Sequence, residues 1–133
     1  MKRIIIGITG ATGTIYGWRL MELLRSEGQT EIHLVMSPSA KLTLKMEHDV
    51  ELERISSLAH EVHAPGNIGA AISSGSFFSE GMIIAPCSIK TMSNIAMGNT
   101  GDLITRAADV ILKERRKLVV ALRETPLHAG HLE

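Results

Sequence analysis

The residues most able to do chemistry begin with Gly7-Ile8-Thr9-Gly10-Ala11-Thr12-Gly13, three glycines spaced three apart directly after an apolar run. Small residues at such a bend let main-chain N–H groups approach a phosphate, and the helix that follows adds the positive end of its dipole. Close packing of a helix on a strand would use fewer glycines, so phosphate binding is the expectation. A dinucleotide site would also need an acidic residue at the end of the second strand to hold ribose hydroxyls. That stretch reads Val35-Met36-Ser37 instead. The Tyr-x-x-x-Lys pair of extended short-chain dehydrogenases is missing too, because the single tyrosine, Tyr16, falls inside the first helix.

Other polar residues follow later apolar runs: Ser37, Cys87 to Thr91, and Arg123-Glu124. They supply hydroxyls, amides and one Arg–Glu pair, a set suited to holding a phosphorylated cofactor rather than to hydrolysis. Cys87 is read as a small buried residue, since a reactive thiol needs a cation, a His or a helix N-terminus to lower its pKa. Ser88 is expected to cap a helix with its hydroxyl. Asp102, Arg106, Asp109 and Lys113 alternate in sign at helical spacing, which by itself describes a solvated stripe. Glu47 by itself reads as a surface residue. The pairs His60-x-x-His63 and His128-x-x-His131 have no cysteine or carboxylate cluster beside them, so no metal site is expected.

These residues need strands to carry them. Ile4 to Thr9 is a β-branched run suited to a central strand buried on both faces. Tyr16, Leu20, Leu23 and Leu24 share one face of a helix that stops at Gly28. Glu31 to Ser37 reads as a second strand, Ser39 to Glu47 as a short helix, and Leu52 to Leu58 as another. Gly66 to Ser76 reads as a loop. Met82 to Ala85 is a strand ending at Pro86, followed by a helix from Cys87 to Met97. Asp102 to Arg116 is the clearest helix, and Leu118 to Leu122 reads as a fourth buried strand. Strands alternating with helices imply a three-layer, doubly wound, mostly parallel α/β sheet. Such sheets bind ligands beyond the carboxyl ends of their strands, where the polar residues above fall.

Composition narrows the function. A chain of 133 residues suits one domain, 1–133, with a single core. Fourteen basic and fourteen acidic residues cancel, which favours neither nucleic acid nor an acidic membrane. Aromatics at 3% leave no stacking platform for single strands. No apolar run approaches 18 residues, and Met1-Lys2-Arg3 does not lead into a signal-peptide core, so a membrane location is not expected. The single cysteine fits a reducing cytoplasm.

Several strings together resemble one family: Thr9 to Gly13, Ser73-Ser74-Gly75-Ser76, Pro86-Cys87-Ser88-Ile89-Lys90-Thr91, Arg106 to Arg115, Arg123-Glu124-Thr125-Pro126-Leu127 and His131-Leu132-Glu133. This pattern is similar to the UbiX-type flavin prenyltransferases, a group that includes one of the component chains of phenolic and hydroxyarylic acid decarboxylases. The resemblance implies a Rossmann- or flavodoxin-like flavoprotein that takes a dimethylallyl group from dimethylallyl phosphate. That group is joined to N5 and C6 of reduced flavin mononucleotide (FMN) without a metal. The product, prenylated FMN, would serve a UbiD-type decarboxylase.

By resemblance, Gly10, Ala11, Thr12, Ser37, Ser88, Ile89, Lys90, Thr91 and Arg123 hold FMN. Arg106, Lys113 and Arg123 hold the prenyl phosphate. Ser74, Lys113 and Glu124 act at the reacting centre, with Glu47 reaching in from a neighbouring subunit. A homo-oligomer is implied, with a dodecamer among the sizes expected. The resemblance also makes the end at Glu133 read as a truncation, ahead of a segment carrying a Tyr and an Arg or Lys for the prenyl phosphate and a closing helix. Thr12 stands where many members have Ser, and His128-Ala129-Gly130 replaces a more apolar stretch. Two other readings are an FMN-dependent decarboxylase of peptidyl- or pantothenoyl-cysteine and a non-catalytic flavin carrier. The decarboxylases carry an early catalytic His and a Pro-x-Met-Asn motif, whereas this chain has Pro86-Cys87-Ser88.

Overall fold

The structure, a computed structural model, describes residues 1–48 and 52–123, with the side chains of Glu47 and His48 outside the description. Five strands form one sheet: β1 (Lys2–Ile8), β2 (Thr30–Met36), β3 (Glu61–His63), β4 (Gly81–Cys87) and β5 (Lys117–Leu122). Their order is β3-β2-β1-β4-β5, and every pairing is parallel. Five helices connect them: α1 (Thr14–Glu27), α2 (Pro38–His48), α3 (Leu52–Ser56), α4 (Ile89–Met97) and α5 (Leu103–Lys113).

The β-branched runs are strands because both faces of the sheet are covered. On one face Ile6, Ile8, Ile32, Leu34 and Met36 pack with Met21 of α1, Ala40 and Leu44 of α2, and Ile55 of α3. On the other, Ile5, Val35, Met82 and Ile84 pack with Leu103, Ile104, Ala107, Ala108 and Ile111 of α5. Each fully buried Ile, Leu or Met contributes about 1.5–3 kcal/mol relative to exposure. Three layers result, as the alternation of elements implies.

The chain's punctuation is legible in its local bonds. Asp102 caps α5 by accepting from the Thr105 N–H at 2.8 Å, and the Thr105 side chain closes a capping box. Such a cap contributes about 1 kcal/mol. The helix therefore starts one residue after Asp102 and stops at Lys113, short of the expected Arg116. Arg115, at φ 55°, has already left helical geometry.

Several expectations need correction. The buried face of α1 is Thr14, Gly17 and Met21, while Tyr16 and Leu23 are exposed. A Cβ on Gly17 would collide with the Ala85 carbonyl oxygen and the Ile8 side chain, so α1 approaches the sheet through the residue that lacks one. β5 is an edge strand whose residues alternate exposed and half-buried, not a buried one. β4 continues past Pro86 to Cys87, and its ladder with β5 shifts register between Ile84 and Cys87, which accommodates a residue without an N–H. The three-residue strand β3 is an addition to the expected set, because its Glu61-Val62-His63 carries no apolar run. A short 3₁₀ turn, Ala71–Ser73, also interrupts the expected loop.

Candidate functional site

The strand order reverses direction between β1 and β4, the place where open α/β sheets bind ligands. The two strand ends are tied there by one side chain. The Thr9 hydroxyl donates to the Pro86 carbonyl at 2.9 Å and accepts from the Ser88 N–H at 2.8 Å. The Thr9 N–H donates to the same Pro86 carbonyl at 3.2 Å. On the other side of β1, the Ser37 N–H donates to the Ile8 carbonyl at 3.0 Å. Beyond β4, the Arg123 N–H donates to the Cys87 carbonyl at 3.0 Å. The segments holding Gly10 to Thr12, Ser37, Ser88 to Thr91 and Arg123 are thus brought to one end of the sheet.

Three helices begin at that end, and none has an acidic residue in its first turn. α1 starts after Gly13, whose φ of 101° is a left-handed conformation that suits glycine, and no side chain caps it. Its first N–H groups have no side-chain acceptor. Ser37 accepts from the Ala40 N–H at 3.0 Å in the first turn of α2. Ser88 caps α4, accepting from the Thr91 N–H at 3.2 Å and donating to the Thr91 hydroxyl at 3.0 Å. Thr43 of α2 donates to the Gly10 carbonyl at 3.3 Å, which pins the glycine bend against the second helix. Three converging positive dipole ends without a carboxylate form a potential that favours an anion.

The prenyl-phosphate candidates are arranged less uniformly. Arg106 is half-buried on α5, and its Nε is a buried donor without a hydrogen-bond partner. An orphaned buried guanidinium nitrogen is costly unless an acceptor arrives, so the residue fits an anionic ligand. Lys113 lies on the exposed side of the same helix, 3.0 Å from Asp109. The expected charged stripe is therefore split: Asp102 caps the helix, Asp109 and Lys113 pair in solvent, and Arg106 turns inward. Ser74 is exposed and shares a 2.8 Å hydrogen bond with Ser76. Its loop is held against the end of α5 by Arg116, which donates to the Phe77 and Gly75 carbonyls at 2.7 and 3.3 Å. Lys90 is exposed, and Ile89 and Thr91 are half-buried. Glu47 lies on α2 with its side chain outside the description, and Glu124 lies outside the described residues.

Cys87 is fully buried, and burial pushes its thiol up to about 11, as befits a small core residue rather than a nucleophile. The histidine pair His60-x-x-His63 is divided between two tasks. His60 accepts from the Ile32 N–H at 3.0 Å, while His63 meets His33 at 3.1 Å. His33 gives no signal as a polar residue in the sequence, because it lies within an apolar strand thirty residues from its partner. His128-x-x-His131 lies outside the described residues. Among those described, no helix is long and apolar enough to cross a membrane.

Fold and site together define a doubly wound α/β protein whose strand ends bring together helix N-termini suited to an anionic group. Comparison with known proteins refines that class. The flavoprotein family model matches residues 1–132. The flavin prenyltransferase UbiX of Escherichia coli K12 is 56% identical over 132 residues, covering 99% of this chain and 70% of the relative. A crystal structure of AnUbiX (PadA1) in complex with FMN and dimethylallyl pyrophosphate superimposes with a TM-score of 0.95 at 47% identity, covering 98% of this chain and 69% of that one. A dodecameric FMN-dependent UbiX-like decarboxylase from Escherichia coli O157:H7 gives the same TM-score and identity over 98% of this chain and 71% of its own. This chain belongs to the flavoprotein family and, within it, to the UbiX-type flavin prenyltransferases.

Proposed function

We propose that the protein transfers a dimethylallyl group from dimethylallyl phosphate to N5 and C6 of reduced FMN, making prenylated FMN. The observation that carries this reading is the junction at Thr9. It sets the uncapped start of α1 beside the Ser88-capped start of α4, at the point where the strand order reverses. Bound there, reduced flavin supplies the nucleophilic nitrogen and carbon.

The chain's own residues do the rest. The amides of Gly10, Ala11 and Thr12 and the hydroxyls of Ser37, Ser88 and Thr91 hold the flavin's phosphate tail and polar edge, with Ile89 and Lys90 alongside. Arg123 closes on the same ligand from the end of β5. Breaking an allylic C–O bond leaves extra negative charge on the departing phosphate. Arg106, Lys113 and Arg123 favour that state over the ground state, because their attraction grows as charge develops. Arg106 is best prepared, since its unpartnered Nε has no competing acceptor to leave. Ser74 orients the donor. Glu124 carries the proton exchanged with the leaving phosphate or the flavin, and Glu47 joins from an adjacent copy. We further propose a homo-oligomer of dodecamer type with the site between subunits, a cytoplasmic location, and a UbiD-type decarboxylase as recipient of the product.

Incubation with reduced FMN and either dimethylallyl phosphate or pyrophosphate, followed by mass spectrometry of the released flavin, tests the reading. Gain of one prenyl unit supports it. Saturable FMN binding without that gain would reduce the protein to a flavin carrier.

A further inference from the structure

At the β3 edge of the sheet, three ligand-type side chains from β2 and β3 converge. We propose that His33 Nδ1, His63 Nε2 and the Glu61 carboxylate form a binding site for one zinc-class divalent cation that ties β2 to β3. The parallel register sets Glu61 beside His33 and His63 beside Val35, so residues from two strands meet on one face. His33 Nδ1 lies 3.1 Å from His63 Nε2 and 3.6 Å from Glu61 Oε2, and the three ligand atoms all fall within 4.8 Å of one another. Ligands at about 2.0–2.1 Å from a tetrahedral zinc stand roughly 3.3 Å apart, close to the present spacing of His33 Nδ1 from His63 Nε2 and Glu61 Oε2, so side-chain torsions and a proton shift on His63 bring the three onto one ion. Two imidazoles and one carboxylate, with a fourth position open to water, are a recurrent zinc set.

The surroundings prepare these groups as ligands. His33 Nε2 meets Glu31 Oε2 at 3.0 Å, and Arg3 Nε donates to the same oxygen at 2.9 Å. A carboxylate on the far nitrogen places the His33 proton there and leaves Nδ1 with a bare lone pair, the usual outer-sphere support of a metal-bound histidine. Burial lowers the pKa of His63, which favours its neutral form. Without an ion, a proton on His63 Nε2 bridges to His33. With one, His63 carries that proton on Nδ1 and both lone pairs face the cation. Both imidazoles are buried and Phe77 packs edge-on against His33, while Glu61 is exposed and offers a way in from solvent. Ser37, which follows β2, is four residues beyond His33, about 13 Å along the strand, and two residues beyond Val35, the register partner of His63. None of the three ligands is among the residues assigned to the proposed reaction site.

Titration of tag-free, chelator-stripped protein with cobalt(II), followed by its visible absorption, and with zinc against a chromophoric chelator tests the site. One ion per chain with a four-coordinate cobalt spectrum is expected. Glu61→Gln, at an exposed position, should keep the fold and weaken binding at least about tenfold. His63→Gln should abolish the cobalt bands, whereas His60→Gln and the double change His128→Gln/His131→Gln should leave them intact. The proposal is overturned by absence of saturable binding at micromolar metal or by unchanged affinity in Glu61→Gln. Loss of binding in either control variant would place the ion elsewhere and overturn it equally.

Discussion

The Ser88 N–H donates to the Thr9 hydroxyl at 2.8 Å across 79 residues of sequence, and through this bond the ends of β1 and β4 become one ligand-facing surface. Thr9 is 2% exposed, and its hydroxyl also satisfies the Pro86 carbonyl. Thr9→Val keeps the shape and removes both bonds, leaving the Ser88 N–H without its acceptor. A loss of about 1–3 kcal/mol is expected from the urea midpoint, with weaker FMN binding by fluorescence quenching. Thr9→Ser should retain most of both.

Gly17 sets how closely α1 lies on the sheet. Gly17→Ala would drive a methyl group into the Ala85 carbonyl and Ile8. Helix propensity alone would favour Ala by up to about 1 kcal/mol. The collision is expected to outweigh it, with a net loss of about 1–3 kcal/mol in chemical denaturation. A net gain would show that α1 can withdraw without cost.

Arg106 offers a test that separates the two ligands. Arg106→Met keeps the length and packing of the side chain and removes its donors. Prenyl transfer should fall about hundredfold in kcat/KM, while the FMN dissociation constant stays near the native value. Equal losses in both measurements would assign Arg106 to the flavin instead.

Cys87 provides a pH-dependent signature. Its folded-state thiol ionises near 11, above the ordinary value of 9.0, because burial disfavours the thiolate. The unfolded chain therefore releases this proton first. Stability contributed by Cys87 is intact below pH 9 and declines from there toward pH 11. Iodoacetamide at pH 8 should leave the native protein unmodified and label it fully in urea. Rapid native labelling would contradict the buried thiol.

The carboxyl end of the sheet is legible in the sequence because its signals are local. Gly10 to Gly13 after a β-branched run announces the bend before α1, and Ser88 after Pro86-Cys87 announces the cap of α4. Each needs only neighbours within a turn of chain. The inward side of α1 is hidden for the opposite reason. Leu23 and Tyr16 have the apolarity of core residues, yet the face that packs is chosen by Gly17, whose value lies in what it lacks.

Sequence alone settled the alternation of four strands with their helices and the polar residues that follow β1, β2, β4 and β5, but not β3, because hydrophobic period and cap chemistry act over a few residues. Only the tertiary structure decided the strand order, which joins Thr9 to Ser88 and makes β5 an edge. The same long-range pairing set His33 against His63 and Glu61, and turned Arg106 inward while Lys113 faces solvent. Register and burial arise from contacts between distant segments, and no short window of residues contains them.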